Sequence, residues 1–149
     1  MPELKKTRQA QPVMNASFVF NYDDTAVDAV TGAVKSFGSD AIAENLVMDI
    51  MDLTQGATIV GGELIVETAG AGPTVYTAAL GTAAAPTSLL AATSLLAAGR
   101  TALSLAAPLT AANGEAIRLT MASTIAVATA GKVRLNIQYV LDSRAHENL

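Results

Sequence analysis

The residues of this sequence that could carry chemistry are carboxylates, and most of them lie in its first half. Over residues 20 to 67, nine acidic side chains stand against a single basic one, Lys35. Paired carboxylates can serve as general acid and base in glycoside hydrolysis, or can bind Ca²⁺. No DxDxDG calcium loop occurs, and aromatic residues that could stack on a sugar are few. We interpret these carboxylates as turn residues and an acidic contact face, with calcium binding left open as an alternative. They are Asp23, Asp24, Asp28, Asp40, Glu44, Asp49, Asp52, Glu63 and Glu67.

Other catalytic and cofactor-binding groups are almost absent from the sequence. The only histidine, His146, lies in a polar C-terminal tail, where it is better placed for water than for a nucleophile. There is no cysteine, which excludes disulfides and thiolate metal sites. The glycine-rich runs GAGP and VGGE match neither a P-loop nor a GxGxxG turn. We therefore predict a protein that is not an enzyme, with no catalytic, cofactor-binding or metal-binding residues.

The distribution of charge points to contacts with other proteins. The net charge of −4 argues against a nucleic-acid role for the body of the chain. From residue 100 onward the balance is basic, so an acidic half is followed by a basic half. Such halves suit partner contacts that match in sign, although ordinary scatter on a solvated sheet face remains the alternative. The basic residues are Arg100, Arg118, Lys132, Arg134 and Arg144, against Glu115, Asp142 and Glu147.

A long uncharged span runs from Thr68 to Gly99 and raises the question of a membrane segment. About 20 apolar residues suffice to cross a bilayer. Pro73 and Pro86 interrupt this span, and it consists mostly of Ala, Thr, Ser and Gly. We interpret it as a strand, a loop and a further strand or short helix, and predict no membrane contact. The N-terminus has no apolar run behind its charges, so no signal peptide is predicted.

The last element, KVRLNIQYVL, is the clearest strand in the sequence. Alternate side chains are apolar over ten residues. Only an extended strand with one solvated face places the apolar and the polar side chains of such a pattern on opposite sides. The polar face carries Lys132, Arg134, Asn136 and Gln138. The predicted core face carries Val133, Leu135, Ile137, Tyr139 and Leu141.

Other runs with period-two alternation or β-branched residues predict further strands. ASFVFNYDD places Phe18, Phe20 and Tyr22 on one face, and ENLVMDIMDL does so for Leu46, Met48 and Ile50. ATIVGGELIVET predicts a long strand with a bulge or kink at Gly61-Gly62. TVYTAALG, RTALSLA (with Leu103 and Leu105 inward) and AIRLTMAS complete the set, while TSLLAATSLLAAG is interpreted as a covered loop or one to two helical turns.

These elements total about eight short strands without a βαβ rhythm, which favours two packed antiparallel sheets. The predicted fold class is all-β, an antiparallel two-sheet β-sandwich of the jelly-roll type with an extended N-terminal arm. The predicted organisation is an arm over residues 1–14, the sandwich over residues 15–142 and a polar tail over residues 143–149.

Two stretches carry a resemblance to a known family. GATIVGGELIVETA…TVYTAALG and AAGRTALSLAAPLTAANGEAIRLTMASTIAVATAGKVRLNIQYVLD together resemble the small jelly-roll cement, or decoration, proteins of tailed-bacteriophage heads. The order of the pieces carries the resemblance, closing on TAGKVR…Y between Thr129 and Asp142.

The resemblance implies a virion role without catalytic residues. A protein of this kind binds the outside of an expanded capsid as a dimer or trimer and bridges neighbouring major capsid protein subunits, after assembly in the host cytoplasm. The basic residues Lys5, Lys6 and Arg8 would form a capsid-contact arm. The alternatives are a tail, baseplate or fibre-tip domain, or a carbohydrate-binding jelly-roll module.

Overall fold

The structure is a computed structural model that describes residues 13–38, 45–105, 114–124 and 126–141. Within these ranges it contains ten β-strands and no helix, so the predicted all-β fold is confirmed. The strands are β1 Met14–Asn21, β2 Thr25–Val27, β3 Val34–Ser36, β4 Leu46–Leu53, β5 Ala57–Ala71, β6 Val75–Gly81, β7 Leu90–Ser94, β8 Gly99–Ala102, β9 Glu115–Thr124 and β10 Ala130–Leu141. The predicted contact arm (Lys5, Lys6 and Arg8), the polar tail with His146, and Asp40 and Glu44 lie outside the described residues.

Eight of the strands form two four-stranded antiparallel sheets. The first sheet has the order β1-β10-β5-β8 and the second the order β4-β9-β6-β7. Strands β2 and β3 make a separate short hairpin. From β4 onward nearly every connection crosses from one sheet to the other, and only β6 and β7 are successive neighbours in one sheet. The sandwich is therefore closed by pairings between strands that are distant in sequence.

The hydrophobic core lies between the two sheets and draws on both. From the first sheet, Phe20, Leu64, Val133 and Leu135 are buried; they face a cluster from the second sheet. That cluster includes Leu46, Tyr76, Leu80, Ile117, Leu119 and Met121. Each strand is apolar on one side, so packing the two faces together removes both from water.

The last strand, β10, lies between β1 and β5 in the first sheet. Its side chains alternate between the core and the outer surface along most of its length. Val133, Leu135 and Ile137 are buried, whereas Tyr139 and Leu141 are half-buried at the end of the strand and pack against the edge of the core.

The predicted bulge at Gly61-Gly62 is confirmed. Gly61 pairs with Gln138 but Ile59 pairs with Tyr139, so Val60 is the extra residue of β5. The core-facing positions shift from odd numbers before the bulge to even numbers after it. The bulge therefore lets one fifteen-residue strand keep its apolar residues inside along both halves.

Two local predictions were wrong. Residues 90–94 of the TSLLAATSLLAAG segment form the edge strand β7, not a loop or helical turns, because hydrogen bonds to β6 outweigh the weak pattern of an Ala-rich run. Leu105 is 43% exposed, although the prediction had it inward. The strand β8 ends at Ala102, and Ser104 N–H already donates to Leu89 C=O, so the strand alternation no longer holds at Leu105.

A smaller departure occurs in β4, where Ile50 is half-buried and not in the core. The register between β4 and β9 shifts between Asp49 and Met51, so Ile50 is the extra residue of a bulge. Beyond it the core position passes to Leu53. None of the described residues forms a helix long and apolar enough to span a membrane.

Candidate functional site: contact surfaces

The described carboxylates of the first half of the chain are spread over the fold and do not form a metal-binding cluster. Within the described ranges, no three His, Cys, Asp or Glu side chains lie close enough together to hold a metal ion. The described acidic residues are spread over a turn, a buried hairpin position and the outer faces of both sheets. The described carboxylates therefore form no calcium cage.

Most of the acidic side chains on the sheets pair with basic residues of the second half of the same chain. On the second sheet, Arg118 Nε lies 2.7 Å from Asp49 Oδ1. On the first sheet, Arg100 reaches Glu63 across 3.4 Å. Each of these carboxylates is therefore paired with a basic side chain of the same chain, and the acidic contact face stays a prediction.

Glu67 is the most heavily paired of these carboxylates. It accepts a hydrogen bond from Arg134 Nε at 2.7 Å, and Lys132 Nζ lies 3.0 Å from its second oxygen. The Arg134 hydrogen bond, followed by the one from Lys132, holds the pKa of Glu67 below its usual value. This cluster lies on the outer face of the first sheet, where β5 and β10 run side by side. Solvent screens such exposed ion pairs, so we expect them to contribute to solubility and to the register of the strands more than to stability.

A shallow depression of about 430 Å³ lies on the same outer face. Gly62 is one of its lining residues, and no aromatic residue lines it. A sugar-binding site normally offers an aromatic face for stacking, so the depression does not favour the carbohydrate-binding alternative. Its walls are Asn15, Glu63, Ala102, Asn136 and Gln138.

The hairpin of β2 and β3 projects the most exposed apolar side chains of the described chain. Val27 and Val34 are direct cross-strand partners and are 58% and 69% exposed. Val30, in the turn between them, is 71% exposed. We call these three residues the valine hairpin. Exposed apolar side chains grouped on one hairpin suggest a contact surface.

Asp28 fixes the valine hairpin to the second sheet. Its side chain is only 1% exposed, yet it keeps a charge because four groups surround it. Oδ2 accepts hydrogen bonds from Thr31 N–H at 2.8 Å and Thr31 Oγ1 at 2.7 Å, and Lys35 Nζ lies 3.7 Å away. Oδ1 accepts the N–H of Val47 in β4 at 2.9 Å. These bonds, that of Val47 first, lower the pKa of Asp28 from 3.8 to about 2.

Two further contacts attach the base of the hairpin to the sandwich. Ala29 N–H donates to Val47 C=O at 2.7 Å, on the open edge of β4. The ring of Phe37 stacks on that of Phe20 with centroids 4.5 Å apart, and its carbonyl accepts the buried Tyr76 hydroxyl at 3.1 Å. Burial raises the pKa of Tyr76 to about 12. The valine hairpin is therefore held in place from its base, while its tip stays in solvent.

Sequence reasoning missed the valine hairpin and its anchor. The signal available was AVDAVTGAV, where valines flank the turn residues Thr31 and Gly32, a place that normally carries polar side chains. Asp28 was grouped with the other carboxylates, since the sequence does not show that its partner is the backbone of residue 47.

No protein-family model and no curated protein sequence matches this chain. Among solved structures, it is similar to a chain of the cyanophage Pam1 capsid asymmetric unit, at 18% identity and a TM-score of 0.58, over 95% of this chain and 99% of that one. It is also similar to a chain of the acid-stable capsid of Helicobacter pylori bacteriophage KHP30, at 14% identity and a TM-score of 0.53, over 87% of this chain and 94% of that one. At these identities the likeness shows a shared fold.

Proposed function

We propose that this chain is a non-enzymatic structural protein of a phage virion, which binds the outer surface of the capsid and cements neighbouring major capsid protein subunits. One observation carries the proposal: the fold matches, nearly end to end, single chains from two phage capsid structures. Because each alignment covers almost all of both chains, the likeness extends to the whole subunit and not to a fragment of it.

The connectivity of the sandwich supports the finer proposal that it is a jelly roll. That fold has eight strands in two sheets, with the chain alternating between them. Here the two sheets hold four strands each, and the first sheet places the last strand, β10, between β1 and β5. The small β2–β3 hairpin is an insertion between the first two strands of that scheme.

The valine hairpin is the surface that we assign to the capsid contact. Asp49, Glu63 and Glu67 on the sheet faces are each paired with a basic side chain of the same chain, so these charges contribute little attraction to a partner. The hairpin offers apolar area instead, and Asp28 holds it in one orientation before binding. A preformed contact loses less conformational freedom on binding. Many copies around a capsid would add avidity to each weak contact.

The basic residues Lys5, Lys6 and Arg8 remain the proposed second contact, an arm laid on a neighbouring capsid subunit. This arm and the exterior location of the protein are proposals that follow from the same role, as is assembly in the host cytoplasm.

The role is tested by mixing the purified protein with expanded capsids assembled without it. We expect the protein to sediment with the capsids at a fixed ratio and to raise their resistance to heat. Failure to co-sediment would remove the cement function.

The contact surface is tested separately by replacing the valine hairpin with threonines, V27T/V30T/V34T. Threonine keeps the branched shape and the strand preference while adding a hydroxyl to each position. Loss of three apolar contacts at roughly 1 kcal/mol each should weaken capsid binding by a factor of about 100. The matched control is V60T/V75T/V127T, which changes three other exposed valines. Equal binding by both variants would show that the capsid contact lies elsewhere.

A further inference from the structure

Among the described residues, strand β1 forms a sheet edge whose outward side no other strand covers. Of the four edges of the two sheets, that of β4 is covered at Val47 by the hairpin, and β7 and β8 are only five and four residues long. The edge of β1 runs over eight residues, pairs with β10 without a bulge and carries no charge and no proline. Charges, prolines, bulges and short strands are the usual means by which proteins block pairing at an edge. This edge uses none of them.

The hydrogen-bonding direction of each residue in β1 follows from the contacts at its end. Tyr22 N–H donates to Gly131 C=O, toward β10, and the pairing register continues unbroken through Met14. Even-numbered residues therefore bond to β10, and odd-numbered residues point their N–H and C=O groups away from it. Asn21 fits this alternation, because its outward N–H is taken by Asp24 Oδ2 at 2.7 Å.

Four residues remain with outward backbone groups that no described residue binds. Asn15, Ser17 and Val19 lie within β1, and Val13 continues the same alternation at its start. Their side chains all lie on the outer face and are exposed, Val13 at 47% and Val19 at 39%.

The geometry points to a second copy of this chain as the partner of this edge, with the two β1 strands antiparallel about a two-fold axis through Ala16. In that register Val13 of one copy faces Val19 of the other, and Asn15 faces Ser17. All four outward N–H and C=O groups of each copy then find partners. The two exposed valines cover each other, and the polar side chains meet polar ones. No like charges meet, because the edge has no charged side chain.

The side chains behind this edge give the same contact an apolar component. Phe18 of β1 and Ile50 and Met51 of β4 are only half-buried, and they line a cavity of about 100 Å³ between the margins of the two sheets. A second copy paired along β1 would place its own Met14 and Phe18 over this opening. The paired first sheets would become one continuous eight-stranded sheet, which is the isologous contact typical of two-fold dimers.

This pairing needs no capsid, so its test is independent of the proposed function. Light scattering of the full chain should give a dimer at concentrations on the order of 10 µM. For each of the variants V19D and V13K, the dissociation constant of the dimer should be at least about tenfold higher than for the wild type. The double variant V13K/V19D should recover the dimer, because the new ammonium group of one copy then faces the new carboxylate of the other. Within one chain these positions are roughly 20 Å apart and cannot pair. The control V127D, a third exposed valine, should leave the dimer unchanged.

The register is tested by a cross-link. The chain has no cysteine, and Ala16 would face its own copy in a non-hydrogen-bonded pair with Cα atoms about 4.5 Å apart, within disulfide range. Under mild oxidation A16C should form a covalent dimer, whereas V127C should stay monomeric. A monomeric wild-type chain would overturn the proposal, as would dimerisation unaffected by V13K and V19D, or failure of A16C to cross-link.

Discussion

Replacing Asp28 with Asn should loosen the valine hairpin and lower the free energy of unfolding by an amount that depends on pH. The substitution keeps an oxygen that can accept the Val47 N–H but puts an NH₂ group where Oδ2 now accepts two bonds from Thr31. It also removes the charge facing Lys35. The pKa falls from 3.8 to about 2, and each unit corresponds to about 1.4 kcal/mol, so the charged form stabilises the fold by about 2 kcal/mol. We expect Asp28→Asn to lower the free energy of unfolding by about that amount near neutral pH.

The dependence on pH has a definite sign. Because folding depresses the pKa, the stabilisation is present above 3.8 and is lost as the pH falls through about 2. The difference in free energy of unfolding between wild type and Asp28→Asn should therefore be constant from neutral pH down to about pH 5 and should then shrink toward zero. Asp23→Asn, in the neighbouring exposed turn, is the matched control and should change stability by less than about 0.5 kcal/mol.

The assay is urea denaturation over this pH range, with amide hydrogen exchange at Ala29 to detect opening of the hairpin alone. The Ala29 N–H is bonded to Val47 C=O across the joint that Asp28 secures. Faster exchange at Ala29 with unchanged global stability would still show that Asp28 anchors the hairpin. A stability gap that does not close in acid, or an unchanged Ala29 rate together with unchanged stability, would refute the assignment.

Two further changes test the core and the first sheet. Tyr76→Phe leaves the Phe37 carbonyl without its buried partner and should cost about 1–2 kcal/mol by urea denaturation. Because the pKa of Tyr76 is about 12 in the folded protein and 10 in the unfolded one, we expect wild-type stability to fall as the pH rises from 10 through about 12. The Phe variant should lack this loss of stability at alkaline pH. Gly62→Ala would press a Cβ against the carbonyl oxygen of Asn136 and bring it to 2.7 Å from Leu103 Cδ1, at a φ of +149°. We expect it to cost about 3 kcal/mol, whereas Gly99→Ala, with nothing within 4 Å of its Cβ, should be nearly neutral.

The parts of the fold that could be predicted are those in which one strand carries its own signal. KVRLNIQYVL alternates because β10 has the core on one side and solvent on the other, so each residue type reports its face. The Gly61-Gly62 pair likewise marks a bulge locally, through residues that disfavour regular strands.

The parts that could not be predicted depend on contacts between distant residues. β7 is a strand because it pairs with β6, and its sequence, mostly Ala, Thr and Ser, has no alternation of apolar and polar residues that would predict a strand. The acidic and basic halves predict either sign-matched partner contacts or scattered charges on a solvated sheet face, and neither pattern shows that Asp49 and Arg118, 69 residues apart, pair within one sheet. Asp28 could not be told from the other aspartates for the same reason.

The position of β10 has a consequence for how the molecule is made. This strand follows every other described strand in sequence, yet it lies inside the first sheet, between β1 and β5. During synthesis on the ribosome, β1 therefore cannot pair with β10 until nearly the whole chain has emerged. Until then its uncharged edge is open on both sides, and a nascent copy is at its most prone to join a neighbour wrongly. A shortened chain lacking β10 should be lost to proteolysis or aggregation and should not accumulate as a partly active form.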